Sequence, residues 1–384
     1  MQRAGVCFVG YGETKYTRPK GKYKSFVAYL AEAIKMALDN AGLKKKDLKG
    51  LAIAGFLPQN TPSIVEWLGL ELDWLQQLDS GGAAGVVDAR RAADAIQLGH
   101  VDVVVCVGAA ARAISSGPSG AFESYQKNNW VLPYGFGGPN SYFALILRRY
   151  MEDNGLTAEQ TGKIAISLRE NAEFNENALF RSPLTMEEYL NSRIICDPLR
   201  LYDCVAPCNG AAAFVMTSEK KAKELTDHPI YLVSDCEKIN YQIDTNIADR
   251  GTSGFEALPE KLFSNCKIEE IDLVAIYDAY IMVAILQLEG LGFFEQGKAG
   301  EFIDSHDLTY NGDFPLNTGG GELSCGQAGP TGGYLHVVEA IRQLKGEAKG
   351  HQVKGAKTAL ISTPGMPSID TTLNYAAAMI LQRR

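Results

Sequence analysis

The sequence has no excess of positive charge and no long apolar run. Its 384 residues include 37 lysines and arginines against 45 aspartates and glutamates, a net charge of −8. Because phosphate backbones are bound by basic faces, this balance argues against nucleic acid as the main partner. The longest apolar runs, at 101–114 and 279–288, are shorter than the ~18 residues needed to cross a bilayer. We therefore expect neither a nucleic-acid partner nor a membrane segment.

Paired cysteines are also missing. The eight cysteines are scattered and include no Cys-x-x-Cys pair. Cys204 and Cys208 are close enough along the chain to contact a metal, but no second cysteine or histidine pair is nearby. Packed, reduced thiols are therefore the expected state. Residues 1–5 lead directly into a strand-like segment, so we expect no signal peptide and a cytoplasmic protein.

Signatures of metal and nucleotide binding are absent as well. No histidine stands at metal-ligand spacing from an acidic residue in the sequence, so we predict no bound metal. The glycine clusters form neither a P-loop nor a Gly-x-Gly-x-x-Gly turn after a strand. This argues against nucleotide hydrolysis and NAD binding.

What is present is a pattern of strands and helices that occurs twice. An apolar strand at 6–9, a helix at 25–40 and a strand at 48–55 are followed much later by strands at 229–234 and 271–276. A glycine cluster at 81–85 precedes a helix ending near Gly99 and a strand at 101–107. Likewise, Gly332 and Gly333 precede a helix at 334–344 and a strand at 358–363. We predict an α/β protein with an N-terminal half at 1–225, which carries a loop excursion at about 111–200, and a C-terminal half at 226–384.

Residues 111–140 interrupt this order. The segment is rich in glycine, serine, proline and asparagine, and it carries five aromatic residues: Phe122, Tyr125, Trp130, Tyr134 and Phe136. Long excursions in compact domains are usually functional, so the segment is predicted to lie near a pocket or subunit contact. A surface loop held by its own aromatic residues is the alternative.

Three stretches resemble the thiolase family, in particular thiolases of the sterol-carrier-protein-2 type. They are Gly81-Gly82-Ala83-Ala84-Gly85 with its helix, Tyr277-Asp278-Ala279-Tyr280, and the loop from Asn317 to Gln327. They correspond to the nucleophile region, the His-Asp-Cys-Phe segment and the Asn-x-Gly-Gly…Gly-His-Pro loop of that family. Residues 171–180 and 197–213 are similar too, so the resemblance covers nearly the whole chain. It implies a five-layer αβαβα thiolase fold built from two pseudo-repeated halves, a homodimer and a coenzyme A thioester substrate.

The catalytic positions depart from the family pattern. The family's nucleophilic cysteine falls on Gly82, its second cysteine on Ala279, and its two histidines on Tyr277 and Gln327. A thiolate at a helix N-terminus would be stabilised by the helix, whereas glycine offers no nucleophile. A covalent acyl-cysteine at this helix is therefore not expected.

Tyr277, Asp278 and Tyr280 are predicted to be catalytic. They follow a predicted parallel strand, and ligands bind at the carboxyl ends of such strands. A phenol can donate to an oxyanion, or accept a hydroxyl proton once neighbours lower its pKa. The alternative is that both tyrosines pack in the core and that Asp278 caps a helix.

The glycine-rich loop supplies the other candidates. Asn317 and Gln327 are amides suited to orient a carbonyl or a water, although turn chemistry also favours asparagine. Cys325 is a further catalytic candidate, with a bystander thiol as the more common alternative. Substrate or oxyanion contacts are predicted for four residues: Gly82, Gly320, Gly321 and His336. His336 lies on a predicted helix between apolar residues, which also suits a core or dimer-contact histidine.

The resemblance implies an enzyme that makes or breaks a carbon–carbon bond next to an acyl-CoA thioester. The reaction would be a β-ketoacyl-CoA thiolysis or Claisen-type step, or a retro-aldol cleavage as in cysteine-less steroid side-chain aldolases. The resemblance to such aldolases also implies a small zinc-ribbon/OB-fold partner protein. The acyl group would be steroidal, aromatic (benzoylsuccinyl-CoA type) or short and branched. Coenzyme A would be the substrate or product moiety, with no covalently bound cofactor. The alternative is a non-catalytic scaffold that binds coenzyme A or a partner protein.

Overall fold

The computed structural model describes residues 5–18, 24–55, 60–111, 134–135, 138–241, 253–365, 373 and 375–384. Four of the five aromatic residues predicted near a pocket, Phe122, Tyr125, Trp130 and Phe136, lie outside these ranges. Tyr134 is described and is 80% exposed.

The described residues form strands and helices in alternation. The strands are β1 (Val6–Glu13), β2 (Gly50–Ala54), β3 (Trp74–Leu78), β4 (Val103–Ala110), β5 (Ile194–Cys196), β6 (Leu199–Arg200), β7 (Gly210–Ser218), β8 (Ile230–Ile239), β9 (Leu273–Ile276), β10 (Thr358–Pro364) and β11 (Tyr375–Arg383). The helices are α1 (Phe26–Asn40), α2 (Thr61–Leu68), α3 (Ala84–Gln97), α4 (Pro139–Asn154), α5 (Ala158–Asn171), α6 (Met186–Leu190), α7 (Glu219–Leu225), α8 (Pro259–Leu262), α9 (Ile281–Gly290), α10 (Ala299–Ser305), α11 (Gly321–Cys325) and α12 (Thr331–Lys345). In the described part of the chain, no helix has the length and apolar character needed to span a membrane.

Nine strands form one mixed sheet in the order β3-β2-β4-β7-β1-β8-β11-β10-β9. In the first half β3, β2 and β4 are parallel and β7 is antiparallel to β4. In the second half β9 and β10 are parallel and β11 is antiparallel to β10. The halves meet where β1 pairs with β8 through Cys7–Tyr231 and Phe8–Ile230. The twofold pattern is thus present in the sheet, and the predicted boundary at 225/226 falls between α7 and β8.

Alternate side chains of each strand enter different core layers. Leu51 and Ile53 of β2 pack with α1, whereas Ala52 and Ala54 face a central layer formed by α3 and α12. The central layer also receives Leu273, Ala275 and Ile361 from the second half of the sheet. The opposite face of that half, with Val274 and Leu360, packs against α9. This is the five-layer αβαβα order that the resemblance implies, so the fold prediction is confirmed.

Helices α3 and α12 approach backbone to backbone at their N-terminal ends. A Cβ added to Gly85 would lie 2.2 Å from the carbonyl oxygen of Gly333, and one added to Gly333 would lie 2.1 Å from that of Gly82. The helix predicted at 334–344 therefore begins earlier, at Thr331, with both glycines in its first turn. Helix α5 ends at Asn171, whose side-chain amide donates to the Leu316 carbonyl oxygen at 2.8 Å.

Candidate active site

Gly82 and Tyr277 lie against each other at the ends of their elements. Gly82 belongs to a short 3-10 turn, Gly81–Ala83, that leads into α3, and Tyr277 directly follows β9. A Cβ on Gly82 would be 2.6 Å from Cε2 of Tyr277 and 2.7 Å from Cζ. Because real Cβ contacts are longer, the phenol ring fills the volume that a side chain at position 82 would need.

The backbone of Tyr277 is fixed on both sides. Its N–H donates to the Ser362 carbonyl oxygen at 3.0 Å, and its carbonyl accepts from Nε2 of Gln287 at 2.6 Å. The hydroxyl of Ser362 in turn donates to Oε1 of Gln287 at 2.7 Å. The backbone from which the ring extends is therefore fixed by β10 and α9 as well as by its own strand.

The hydroxyl of Tyr277 accepts a hydrogen bond from Nε2 of Gln327 at 2.5 Å. Gln327 is itself positioned by its backbone, which donates to the Ala206 carbonyl oxygen at 2.9 Å and accepts from the Cys208 N–H at 3.0 Å. Burial, followed by the nearby Glu322 carboxylate, raises the pKa of Tyr277 well above its ordinary value. The group is thus a neutral phenol at physiological pH.

The glycines divide into two roles. The N–H of Gly82 is in the first turn of a helix, where no intrahelical acceptor exists, so it is suited to contact an oxyanion beside Tyr277. The N–H of Gly320 donates to the Asn317 carbonyl oxygen at 2.7 Å. A Cβ on Gly321 would be 2.1 Å from Oδ2 of Asp278. The N–H of Gly320 is therefore used within its own turn, and position 321 has no room for a side chain beside Asp278.

Asp278 caps a helix. It is fully buried and accepts from the backbone N–H groups of Glu322 at 2.7 Å and Leu323 at 3.3 Å, in the first turn of α11. Burial raises the pKa of Asp278 to about 7. The capping alternative weighed for Asp278 therefore agrees with the structure.

Tyr280 is directed elsewhere. Its hydroxyl donates to Oδ1 of Asn140 at 2.5 Å, and its ring packs on Phe143 with centroids 4.6 Å apart. Both contacts belong to α4. Among the described residues, no hydrogen bond connects Tyr280 with Tyr277 or Gln327, so the two tyrosines are not brought together as a pair.

Asn317 acts as a backbone bridge. Its Oδ1 accepts from the N–H of Ile276 at 2.7 Å, and its Nδ2 donates to the carbonyl oxygen of the same residue at 2.9 Å. The backbone of Asn317 has a positive φ of 46°, a conformation that asparagine tolerates better than most residues. Both polar ends of the amide bind the backbone of Ile276, and the side chain also forms a hydrogen bond with Asp278, so these contacts hold Asn317 in the loop.

Cys325 is a buried thiol. Its Sγ donates to the Gly319 carbonyl oxygen at 3.3 Å and accepts from Nδ2 of Asn175 at 3.4 Å. Burial raises the pKa of Cys325 well above its ordinary value. A protonated, fully enclosed thiol is a poor nucleophile, which favours the bystander interpretation.

Glu322 is a site residue that was not predicted from the sequence. Its fully buried carboxyl group lies with Asp278 and His336 in a cluster whose ligand atoms are all within 4.8 Å of one another. Oε1 lies 1.7 Å, and Cε2 of Tyr277 3.1 Å, from the position that a Cβ on Gly332 would take. His336 is likewise buried, with its ring centroid 6.2 Å from that of Tyr277. The only sequence signal is an acidic residue inside a glycine-rich loop, and that signal alone is weak.

Fold and site together define a thiolase-type α/β architecture in which a tyrosine ring replaces the side chain at the helix N-terminus. Comparison with known proteins agrees. Residues 244–383 match the thiolase C-terminal domain-like family. A 17-hydroxy-3-oxo-4-pregnene-20-carboxyl-CoA lyase from Mycobacterium tuberculosis is 30% identical over 395 aligned positions, covering 96% of this chain and 98% of the relative.

Two further proteins are similar to this chain over nearly its whole length. An acetyl-CoA acetyltransferase from Methanothermobacter thermautotrophicus is 29% identical, over 94% of this chain and 96% of the relative. A solved structure of an Ltp2-ChsH2(DUF35) aldolase superposes with a TM-score of 0.82 at 26% identity, over 98% of this chain and 97% of that one. The chain belongs to the thiolase superfamily, as the sequence motifs indicate, and is an enzyme of that superfamily.

Proposed function

We propose that this enzyme cleaves a β-hydroxyacyl-CoA thioester by a retro-aldol reaction. The observation that carries the proposal is the phenol of Tyr277, held by Gln327, in the volume where a nucleophile at position 82 would stand. A retro-aldol needs proton transfer and an oxyanion contact but no covalent nucleophile, and this site supplies those two functions.

The proton balance suits a neutral phenol. When the Cα–Cβ bond breaks, its electrons move to the thioester as an enolate, the β-oxygen becomes a carbonyl, and the hydroxyl proton must end on Cα. Tyr277 can accept the hydroxyl proton and donate its own to Cα, so that it returns to its starting state. Its raised pKa is compatible with that exchange, because no free phenolate is required.

Two donors support the developing charge. The N–H of Gly82 is placed to stabilise the enolate oxygen, in the manner of an oxyanion hole. The amide of Gln327 donates to the phenol oxygen and stabilises it while protons are exchanged. Acyl transfer through a cysteine is disfavoured, because Cys325 is enclosed and hydrogen-bonded to the Gly319 carbonyl oxygen.

The acyl group is tested by a panel. Steroidal, aromatic and short branched β-hydroxyacyl-CoA thioesters are incubated with the enzyme, and the carbonyl product and shortened thioester are identified by mass spectrometry. The Tyr277→Phe variant should lose about 10²–10⁴-fold in turnover, as expected for loss of a general acid–base group. Tyr280→Phe is the matched control and should stay near wild-type turnover, because its hydroxyl bonds Asn140.

Three results contradict the proposal. Full turnover by Tyr277→Phe would show that the tyrosine hydroxyl takes no part in the reaction. Thiolysis of β-ketoacyl-CoA, with no cleavage of any β-hydroxy substrate, assigns the chain to the acyltransferase side of the superfamily. Inactivity on both substrate classes, for a folded protein with its partner present, supports the non-catalytic scaffold.

The proposal extends to the assembly. A similar aldolase is described as Ltp2-ChsH2(DUF35), and we propose a small zinc-ribbon/OB-fold partner here as well, together with a homodimer of this chain. Co-purification with such a partner and light scattering of the complex test both, and a monomer that turns over alone contradicts both.

A further inference from the structure

Three side chains that can bind a metal ion lie close together next to Tyr277. Asp278 follows β9, Glu322 lies in α11 and His336 lies in α12. Nε2 of His336 is 3.5 Å from Oδ1 of Asp278, and the ligand atoms of all three residues lie within 4.8 Å of one another. The three residues are 0–1% exposed, so bulk water does not solvate them.

Three polar atoms of this cluster, on Glu322 and His336, have no hydrogen-bond partner among the described residues. They are the two carboxylate oxygens of Glu322 and Nε2 of His336. Buried polar atoms are paired as a rule, and each unpaired one costs about 1–3 kcal/mol. Three unpaired atoms that face one another indicate a ligand that all three contact.

The charge of the cluster points to a cation. No lysine or arginine among the described residues forms an ion pair with Asp278 or Glu322, so no side-chain cation already occupies the cluster. Nε2 of His336 has no hydrogen-bond partner in the same part of the chain, so it can offer a lone pair to a metal. Two carboxylates and a neutral imidazole are a donor set that zinc and related divalent metals accept.

We propose that Asp278, Glu322 and His336 bind a divalent transition-metal ion, for which zinc is the first candidate. Zinc bonds of about 2.0–2.2 Å place neighbouring ligand atoms about 3.4 Å apart, which the Asp278–His336 contact already matches. Glu322 offers a carboxylate oxygen within 4.8 Å of both other ligand atoms, so it has to move closer when the ion binds. Three protein ligands leave one position of a tetrahedral ion for another group, the pattern of catalytic zinc sites.

The inference goes beyond the proposed reaction, because it concerns binding and not cleavage. It differs from the sequence-based prediction of no bound metal, which rests on spacing along the chain. Asp278 and His336 are far apart in the chain and belong to different layers.

The test is metal binding by the full chain without an affinity tag. After dialysis against chelator, the protein is titrated with Zn²⁺ and its metal content measured after gel filtration. We expect one tightly bound ion per chain, and a Co²⁺-loaded sample should show visible absorption from a nitrogen and oxygen ligand set. Glu322→Gln and His336→Asn should weaken Zn²⁺ binding by about 100-fold or more.

Matched controls keep the result interpretable. Glu295→Gln and His306→Asn carry the same chemical changes outside the cluster and should bind Zn²⁺ like the wild type. Glu322→Gln is expected to fold, because it removes a buried carboxyl group, and circular dichroism checks this. Retention of no Zn²⁺ by folded wild-type protein overturns the proposal, as does equal binding by cluster and control variants. Either outcome leaves the Tyr277→Phe test of the reaction unaffected.

Discussion

The ring of Tyr277 lies against Gly82 at the N-terminal end of α3 and fills the space that a side chain at position 82 would need. A Cβ at position 82 would be 2.6 Å from Cε2 of the ring and 2.7 Å from the carbonyl oxygen of Pro364. A side chain at position 82 and the ring of Tyr277 therefore exclude each other.

Gly82→Cys should destabilise the protein instead of restoring a thiolase. The added side chain overpacks the site, and we expect a loss of about 1–3 kcal/mol in the free energy of unfolding, measured with urea. In a Tyr277→Ala background the same substitution should cost clearly less, because the ring is gone. An equal cost in both backgrounds would show that the ring does not fill this space.

Cys325 should be unreactive in the native state. Iodoacetamide followed by peptide mass mapping should leave Cys325 unmodified in folded protein and modify it in urea, because the thiol is buried and its pKa is raised. Cys196, which is partly exposed, is the internal control and should react first. Cys325→Ala should keep turnover within about twofold of wild type. Loss of turnover in a folded Cys325→Ala protein would restore the thiol as a catalyst.

Asn317→Ala should lower the free energy of unfolding for two reasons. It leaves the N–H and carbonyl of Ile276 unpaired, about 1–3 kcal/mol, and it places alanine at a positive φ. Asn240→Ala is a matched control, because Asn240 has a similar φ of 48° at an exposed position. The difference between the two variants in urea unfolding isolates the hydrogen bonds. Equal losses would mean that the bonds to Ile276 contribute nothing.

Asp88 should make stability fall as pH rises. Burial raises the pKa of this carboxyl in α3 to about 7, above its unfolded value of about 4. The native state therefore retains the proton to higher pH, so the stability from the protonated group is complete below about pH 4 and is lost as pH passes through about 7. Asp88→Asn mimics the protonated acid and keeps an acceptor for the Tyr334 hydroxyl.

Urea unfolding of wild type and Asp88→Asn at pH 5 and pH 8 measures this effect. Relative to the wild type, the variant should become more stable by up to about 3 kcal/mol between the two pH values. An unchanged difference between the two proteins would show that Asp88 titrates normally.

Local patterns predict much of this fold but only part of the site. The apolar spacing at 25–40 predicts α1, and the repeated glycine–helix–strand order predicts the central layer, since each depends on neighbours along the chain. The role of Asn317 depends on the backbone of Ile276, and that of Cys325 on Asn175, contacts that no local spacing reveals. The same reason hides Glu322, whose neighbours Asp278 and His336 belong to other segments of the chain.

The interpretation of the two tyrosines shows where a motif fails. Tyr277 and Tyr280 are three positions apart, but the first ends a strand and the second precedes α9. The chain changes direction between them, so one hydroxyl meets Gln327 and the other meets Asn140. Adjacency in sequence therefore predicts a shared site that the turn prevents.

The backbone contact of α3 and α12 at Gly85 and Gly333 fixes the spacing of the reacting groups without any side chain. Any residue larger than glycine at either position would push the two helix ends apart. The separation of Gly82, before α3, from His336, in α12, therefore depends on two residues that have no side chain.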